Sequence, residues 1–278
     1  MDINRILRET FVIEVERHAE IGSTNDRAAQ RAKQGAKNLP LLVIADRQTA
    51  GRGRGGNRWW TGPDSLAFSL LIESTAIESK SDDLLGRQFN CRPNDPLNCR
   101  PNDPLNCCPN NLVSLAAGLS VVETVRPLLP GKELGIHWPN DVIAAGRKLA
   151  GILVEVLPDG RTIIGIGVNT NNSMADAPAE LVPIATSLLE LTGVRHDHAE
   201  ILVTLFIHLQ KRLNTLKQDP SQLTNEADAL CLQRDKPLTL QSGRQNITGI
   251  CRGIASDGAI LLETSDGLRS IYSGTIIK

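Results

Sequence analysis

The chain has 278 residues, enough for one good-sized core and a small second domain but not for several independent ones. Its 30 basic and 31 acidic side chains nearly cancel, so no overall field favours nucleic acid or an anionic membrane, and any partner has to be recognised locally. The N-terminus mixes acids among its apolar residues, and no window reaches the ~20 apolar residues of a membrane helix, which predicts a cytoplasmic protein without a secretory signal.

Taken in chain order, residues 3–9 can form a short helix, and Phe11 to Glu16 alternates apolar and acidic side chains as a half-buried strand does. A turn or helix start follows at Gly22 to Asn25, where Thr24 or Asn25 can cap a helix over Asp26 to Gly35. Leu39 to Ala45 and Leu66 to Glu73 are apolar runs that read as buried strands. Residues 90–105 hold NCRPNDPL twice in tandem, and a third copy starts at Asn106 and breaks off, so that four of the six cysteines (Cys91, Cys99, Cys107 and Cys108) fall in one repeat. Without a CxxC pair or a nearby histidine, this is neither a disulfide framework nor a metal site, and it predicts a mobile, dispensable surface loop over 90–110.

Apolar residues at 112, 115, 116, 119 and 122 have helical spacing, and Pro127 ends the run. A strand with Trp138 to Val142, then Lys148 to Val156 and Thr162 to Asn169, predicts an antiparallel meander. Leucines 202, 205, 209, 213 and 216 form the stripe of a helix lying on a sheet. Beyond Gln233, short β segments with Asp-Gly turns at 257–258 and 266–267 predict a small β barrel. The expected domains are therefore 1–228 and 229–278.

Three groups of residues carry chemistry. The segment Gln48 to Trp60 formally contains GxGxxG at Gly51, Gly53 and Gly56, but it lacks the strand running into the loop and the helix leaving it that a dinucleotide fingerprint needs. Its arginines 52, 54 and 58 instead offer guanidinium forks beside glycine backbone N–H groups, which suits phosphate or carboxylate. RNA binding is the other use of such a loop, and a balanced net charge ranks it lower. Trp59 and Trp60 can stack on a base or simply pack in the core.

The second group, His137 to Val142, is either a plain Pro-Asn-Asp turn or a place where Asn140 and Asp141 hold a metal-bound phosphate or orient an amine. Lys148 is a strand-end charge unless it points inward, where it would neutralise a carboxylate. The third group is Gly165, Gly167 and Asn169, in which the glycines allow close approach to the backbone and Asn169 is polar in an apolar context. Gly-x-Ser-x-Gly, Walker and HExxH patterns are all missing from the sequence.

In order along the chain stand Ser23-Thr24-Asn25, Gln48 with Gly51 to Asn57 and Trp59, Trp138 to Asp141, Lys148 with Gly151, Ile152, Leu153 and Glu155, and Gly165-Ile166-Gly167 with Asn169. This ordered series resembles that of biotin–protein ligases, of the monofunctional type, over residues 10–278 apart from the repeat. The resemblance implies an α+β fold: a mixed, largely antiparallel sheet with helices packed on one side, plus the small C-terminal barrel. It implies formation of biotinyl-AMP from biotin and ATP with Mg²⁺, then transfer of biotin to a lysine of a biotin carboxyl carrier protein, by a monomer or homodimer.

By that resemblance Ser23, Thr24, Asn25 and Gln48 hold the ureido end of biotin, and Leu153, Gly165 and Gly167 wall its rings. Arg52, Gly53 and Arg54 fold over the ligand. Lys148 meets the biotin carboxylate and the α-phosphate, Arg58 and Trp59 serve the nucleotide, and Asn140, Asp141 and Asn169 place ATP, with Asp141 also the candidate Mg²⁺ ligand. Arg54, Lys148 and Asp141 are the implied catalytic residues.

Two departures stand out. Bacterial members of the family often carry Lys before Trp-Pro-Asn-Asp, where this chain has His137, whose charge depends on pH. Some also carry an N-terminal helix-turn-helix domain, whereas only 22 residues precede Ser23, so DNA binding is not expected. A lipoate or octanoate ligase or transferase is the nearest alternative, and a non-catalytic anion- or RNA-binding module a remote one.

Overall fold

The computed structural model describes residues 1–73 and 108–277. The tandem repeat at 90–105 lies outside these residues, as does the surface loop expected over 90–110 except for its last three positions, 108–110, which open a helix instead. Helix α1 (Ile3–Glu9) leads into β1 (Glu14–His18), α2 (Thr24–Lys33), β2 (Leu41–Ala45) and β3 (Leu66–Ile72). Helix α3 (Cys108–Val125) precedes β4 (Leu134–His137), β5 (Asp141–Ala144), β6 (Arg147–Val156) and β7 (Thr162–Val168). The short α4 (Leu188–Thr192), α5 (His198–Gln218) and α6 (Pro220–Ala229) follow, and β8 (Pro237–Ser242), β9 (Gln245–Ile254), β10 (Ile260–Thr264), β11 (Gly267–Ile271) and β12 (Thr275–Ile277) complete the chain.

The first seven strands form one mixed sheet in the order β1-β2-β3-β7-β6-β5-β4. Only β1 and β2 run parallel, and every other neighbouring pair is antiparallel. Alternation decides what each face carries. Leu42, Ile44, Phe68, Leu70, Ile152, Ile164 and Ile166 point into the main core, where α3 and α5 cover them. Phe68 meets Phe206 of α5 edge-on, with ring centroids 5.5 Å apart. The leucine stripe of α5 is buried as its period requires.

On the opposite face Leu41, Val43, Leu71 and Ile163 pack under Ala28 and Ala32 of α2. Helix α2 therefore lies across the sheet from α3 and α5, a detail that the expectation of helices on one side did not contain. Beyond the reach of α2, the centre of this face carries Ser69, Gly151, Gly165 and Gly167 beside Ala67 and Leu153, and the missing side-chain volume of the three glycines leaves a cleft.

Helix α2 is capped by Ser23, whose side chain accepts from Asp26 N. Thr24 and Asn25, the expected caps, are instead the first residues of the helix and are turned inward. The helix is tied to edge strand β1 by Glu16, which accepts from Arg27, Arg31 and His18, and by Glu14, which accepts from Arg31 at 2.6 Å. Burial pushes the Glu16 carboxyl upward, but the three donors outweigh it and hold the group at about 2. Because its native value is depressed, this carboxylate stabilises the fold above the ordinary range near 4.5 and loses that contribution as pH falls toward 2. Urea denaturation at about pH 6 and about pH 3 is therefore expected to show a smaller acid loss for Glu16→Gln than for the parent protein. Equal losses would show that Glu16 is not the acid-sensitive tie.

The C-terminal strands form a second, antiparallel sheet in the order β11-β10-β9-β8-β12. Both Asp-Gly turns are present as tight hairpin connections, with Gly258 at φ 82° and Gly267 at φ 111°. The expected barrel is not closed, since no ladder joins β11 to β12 among the described residues. Strand β12 has only three residues, all engaged with β8, and β11 exposes four of its five, so neither edge can seal the other. Trp138, fully buried in the β4–β5 turn, fastens this sheet to the larger one. Its backbone N donates to Gln233 Oε1 at 2.7 Å, Gln233 Nε2 donates back to its carbonyl at 3.2 Å, and its indole donates to Gly258 O at 2.9 Å.

Candidate active site

The cleft holds about 220 Å³ and is floored by the glycines of β6 and β7. Gly151 pairs with Gly167, and Gly165 lies between Leu153 and Ser69 in register. A Cβ on Gly165 would stand 2.1 Å from Asn25 Oδ1, and one on Gly167 would stand 2.3 Å from the Trp59 ring. The glycines therefore make room for two of the protein's own side chains, which in turn shape the cavity.

One end of the cleft is polar and neutral. Gln48 Oε1 accepts from Thr24 N at 2.8 Å and from Thr24 Oγ1 at 3.1 Å, while Gln48 Nε2 donates to Thr61 Oγ1 at 3.1 Å. Ser69 is fully buried; its hydroxyl lies 2.6 Å from Asn25 Oδ1 and 2.7 Å from Thr24 Oγ1. Asn25 Nδ2 donates to Glu155 Oε2 at 2.7 Å and to Leu153 O at 3.4 Å. Arg52 forms ion pairs of 2.6 Å with both Asp26 and Glu155, closing the rim over this end. Burial lowers its guanidinium, but the two carboxylates outweigh that and raise it.

The other end is cationic, and a local irregularity in β6 creates it. The β5–β6 register shifts between Val142 and Ile143, so that both Leu149 and Ala150 turn into the core. The extra residue brings Lys148 back to the cleft side, where strict alternation from Gly151 would have pointed it away. Its Nζ lies 2.7 Å from Asp141 Oδ1 and 5.6 Å from the centre of the Trp59 ring. The Trp59 Nε1 is buried with no hydrogen-bond partner among the described residues.

The glycine/arginine segment is a short hairpin, closed by Gly53 N to Asn57 O at 2.7 Å and Trp59 N to Gly51 O at 2.9 Å. Gly55 and Gly56, at φ 61° and 85°, make its left-handed tip. Arg58 turns to the Thr49 carbonyl at 3.2 Å. Arg54 turns into the cleft, where burial lowers its guanidinium, partly offset by Asp141. No carboxylate pairs with Arg54 among the described residues, so it is a cation held ready for an anion.

Ser23, Thr24, Asn25, Gln48, Arg52, Gly53, Arg54, Arg58, Trp59, Asn140, Asp141, Lys148, Leu153, Gly165 and Gly167 all line the cleft. Asn169 does not. It is 4% exposed just beyond the end of β7, where its backbone N donates to Leu149 O at 2.9 Å and its Oδ1 accepts from Asn172 at 3.3 Å. Its position after β7 carries it past the floor and into the turn that follows. Sequence reasoning missed Ser69, although a lone serine in the apolar run of β3 was a usable signal. Gly274 to Ile276, which also line the cleft, carried no local signal, because their presence depends on how the second sheet docks.

Residues 19–171, more than half of the chain, match the Biotin/lipoate A/B protein ligase family. The chain belongs to this family. Within it, the likeness runs to the biotin ligases: residues 235–278 match the Biotin protein ligase C terminal domain. The biotin–[acetyl-CoA-carboxylase] ligase of Mycobacterium tuberculosis is 31% identical over 262 residues, which cover 93% of this chain and 86% of that protein. The bifunctional ligase/repressor BirA of Bacillus subtilis is also 31% identical, over 93% of this chain and 72% of its own length. Among solved structures, the biotin protein ligase of Aquifex aeolicus in complex with biotin and ATP superposes with a TM-score of 0.74 at 26% identity, covering 95% of this chain and 97% of that one. No helix of this family member, among the described residues, is long and apolar enough to cross a membrane.

Proposed function

We propose that the chain is an ATP-dependent ligase that forms biotinyl-AMP from biotin and ATP and transfers biotin to a lysine of a biotin carboxyl carrier protein. One observation carries this reading: a single cleft joins a neutral hydrogen-bonding end at Thr24, Asn25 and Gln48 to a cationic end at Lys148 and the unpaired Arg54. Biotin has the matching polarity, with an N–H and carbonyl ureido ring at one end and a carboxylate at the other. A lipoate dithiolane has no N–H or carbonyl to offer the first end, which would leave its buried polar groups unmatched. As for RNA, Arg52 and Arg58 are engaged with protein acceptors and Arg54 faces inward, so the loop presents no basic stripe outward.

In the first step the biotin carboxylate attacks the α-phosphorus of ATP and pyrophosphate leaves. Two anions have to meet, and Lys148 and Arg54 offset the charge that builds between them. The Trp59 indole N–H, lacking a protein partner, offers a further donor to a ligand oxygen. In the second step the acceptor amine attacks the acyl carbon, AMP leaves, and the amine gives up a proton. Asp141 takes it: once Lys148 turns toward the ligand, Asp141 loses the partner that occupies its Oδ1 at 2.7 Å.

No group of three His, Cys, Asp or Glu side chains among the described residues could hold a metal by itself. Among the described residues Asp141 is the one carboxylate lining the cleft, with Asn140 beside it, which fits a magnesium ion arriving on the nucleotide, since Mg²⁺ on phosphate uses only one or two carboxylates. Those two residues would hold it, and its chemistry would be to neutralise phosphate charge.

The deciding experiment incubates the pure protein with ATP, Mg²⁺ and either biotin or lipoate, and follows pyrophosphate. Release with biotin is expected, and release with lipoate alone would overturn the reading. Arg54→Gly is expected to keep forming adenylate at a rate within about tenfold of the parent, because Lys148 remains, but to let it escape. Hydroxylamine in the medium then traps biotin hydroxamate during turnover. No increase in trapped product over the parent would deny Arg54 that retaining role.

A further inference from the structure

The Glu155 carboxylate is the point where the neutral end of the cleft meets the glycine/arginine hairpin. It lies on β6 with its side chain on the cleft face of the sheet, two residues beyond Leu153 and paired with Ile163. Its Oε2 accepts from Asn25 Nδ2 at 2.7 Å, while its Oε1 lies 2.6 Å from Arg52 of the hairpin. Arg52 is held on its other side by Asp26, also at 2.6 Å, in the first turn of the helix that carries Asn25.

The two ends of an amide are chemically opposite, so a partner's charge decides which way the amide faces. A carboxylate accepts hydrogen bonds and cannot donate, and at Asn25 it therefore takes the NH₂ end. Ser69 can then donate to Oδ1, at 2.6 Å, which fixes the other end. With both N–H groups directed to Glu155 and Leu153 O, the amide has only acceptor capacity left, on Oδ1 over Gly165. That is the polarity a ureido N–H needs.

We propose that Glu155 is a positioning residue for the ligase reaction, orienting the Asn25 amide as an acceptor while latching the hairpin through Arg52. One carboxylate thus couples recognition at the deep end of the cleft to closure of its rim. The inference rests on the biotin-ligase reading, and it adds a residue that would touch neither biotin nor ATP. A glutamine here keeps the size but can present an NH₂ to Asn25 and no charge to Arg52, so both functions weaken together.

Glu155→Gln is expected to raise KM for biotin about tenfold or more, with KM for ATP within about twofold of the parent. Trypsin is expected to cut the hairpin at Arg52, Arg54 or Arg58 several-fold faster in this variant, with the thermal melt confirming that the protein is folded. Glu155→Asp, which retains the charge, is expected to recover part of the biotin KM. Arg52→Ala separates the two functions: it leaves Glu155 on Asn25 but releases the latch, so hairpin cleavage should rise more than KM for biotin. It also keeps the test available if Glu155→Gln does not fold. An active parent protein with unchanged biotin KM and hairpin cleavage in Glu155→Gln would overturn the proposal, as would equal rises in KM for biotin and ATP. Should Glu155→Gln fail to fold, unchanged hairpin cleavage in Arg52→Ala would do the same. A parent that releases no pyrophosphate with biotin would instead overturn the underlying reading.

Discussion

Lys148→Ala is expected to abolish adenylate formation, lowering pyrophosphate release by about a thousandfold, the scale of losing a charge aimed at a developing anion, ~4 kcal/mol. The reason is geometric. The β6 bulge delivers Nζ to the cleft beside Asp141, at 2.7 Å, and over Trp59, at 5.6 Å, and no other lysine among the described residues lines the cleft. The same substitution leaves Asp141 without its counter-charge. Because the two side chains keep 33% and 23% exposure, water can partly replace the lost ammonium, and the expected stability loss is only about 1–2 kcal/mol. Activity and thermal stability are thus separable: a folded, slightly less stable protein with no pyrophosphate release is the expected result. Normal turnover would remove Lys148 from the chemistry. Lys148→Arg is expected to recover little, since the bulkier guanidinium spreads over several atoms the charge that the compact ammonium concentrates at one.

Gly165→Ala is the second large effect, and it tests the floor. A methyl at this position would stand 2.1 Å from Asn25 Oδ1 and 2.9 Å from its Cγ, far inside contact distance. Neighbouring strands β3 and β6 hold the Gly165 backbone on both sides, so Asn25 is the group that gives way. Its displacement breaks the bonds to Ser69 and Glu155 together. Biotin affinity is expected to fall about a hundredfold, with a stability cost of about 1–3 kcal/mol from overpacking. Titration calorimetry with biotin measures the first and denaturation the second. Gly167→Ala meets the Trp59 ring at 2.3 Å instead, so its main loss is expected on the nucleotide side. Unchanged biotin affinity in Gly165→Ala would show that the Asn25 position does not matter for the ligand.

Much of the architecture could be read directly from residue order. The apolar runs of β2, β6 and β7, the helical stripe of α5 and the Asp-Gly turns each depend on neighbours within a few residues, and each of these elements stands within a few residues of where its pattern placed it. Helix α6 was not anticipated, although Asp219 caps it and Pro220 opens it at the position where proline's missing N–H costs nothing. Nor could the open edges of the second sheet be foreseen, because closing a barrel depends on how far two end strands reach across space.

The sequence by itself determined the chemical inventory and its order: the Ser23-Thr24-Asn25 helix start, the glycine/arginine hairpin, Asn140-Asp141, Lys148 and the paired glycines of β7. Tertiary structure decided which of these act together. A single extra residue at Leu149 turns Lys148 toward the cleft, and strict alternation would have sent it into the core. Of the three hairpin arginines, only Arg54 is left for an anion, because Glu155, 103 residues away from Arg52, engages that side chain, and Thr49 engages Arg58. Asn169 falls past the end of the floor, while Gly274 to Ile276 reach the cleft from the far end of the chain. Local patterns fix which face of a strand a residue occupies only up to a bulge, and they carry no information about charges that meet across a hundred residues; both are settled when the sheets and helices pack.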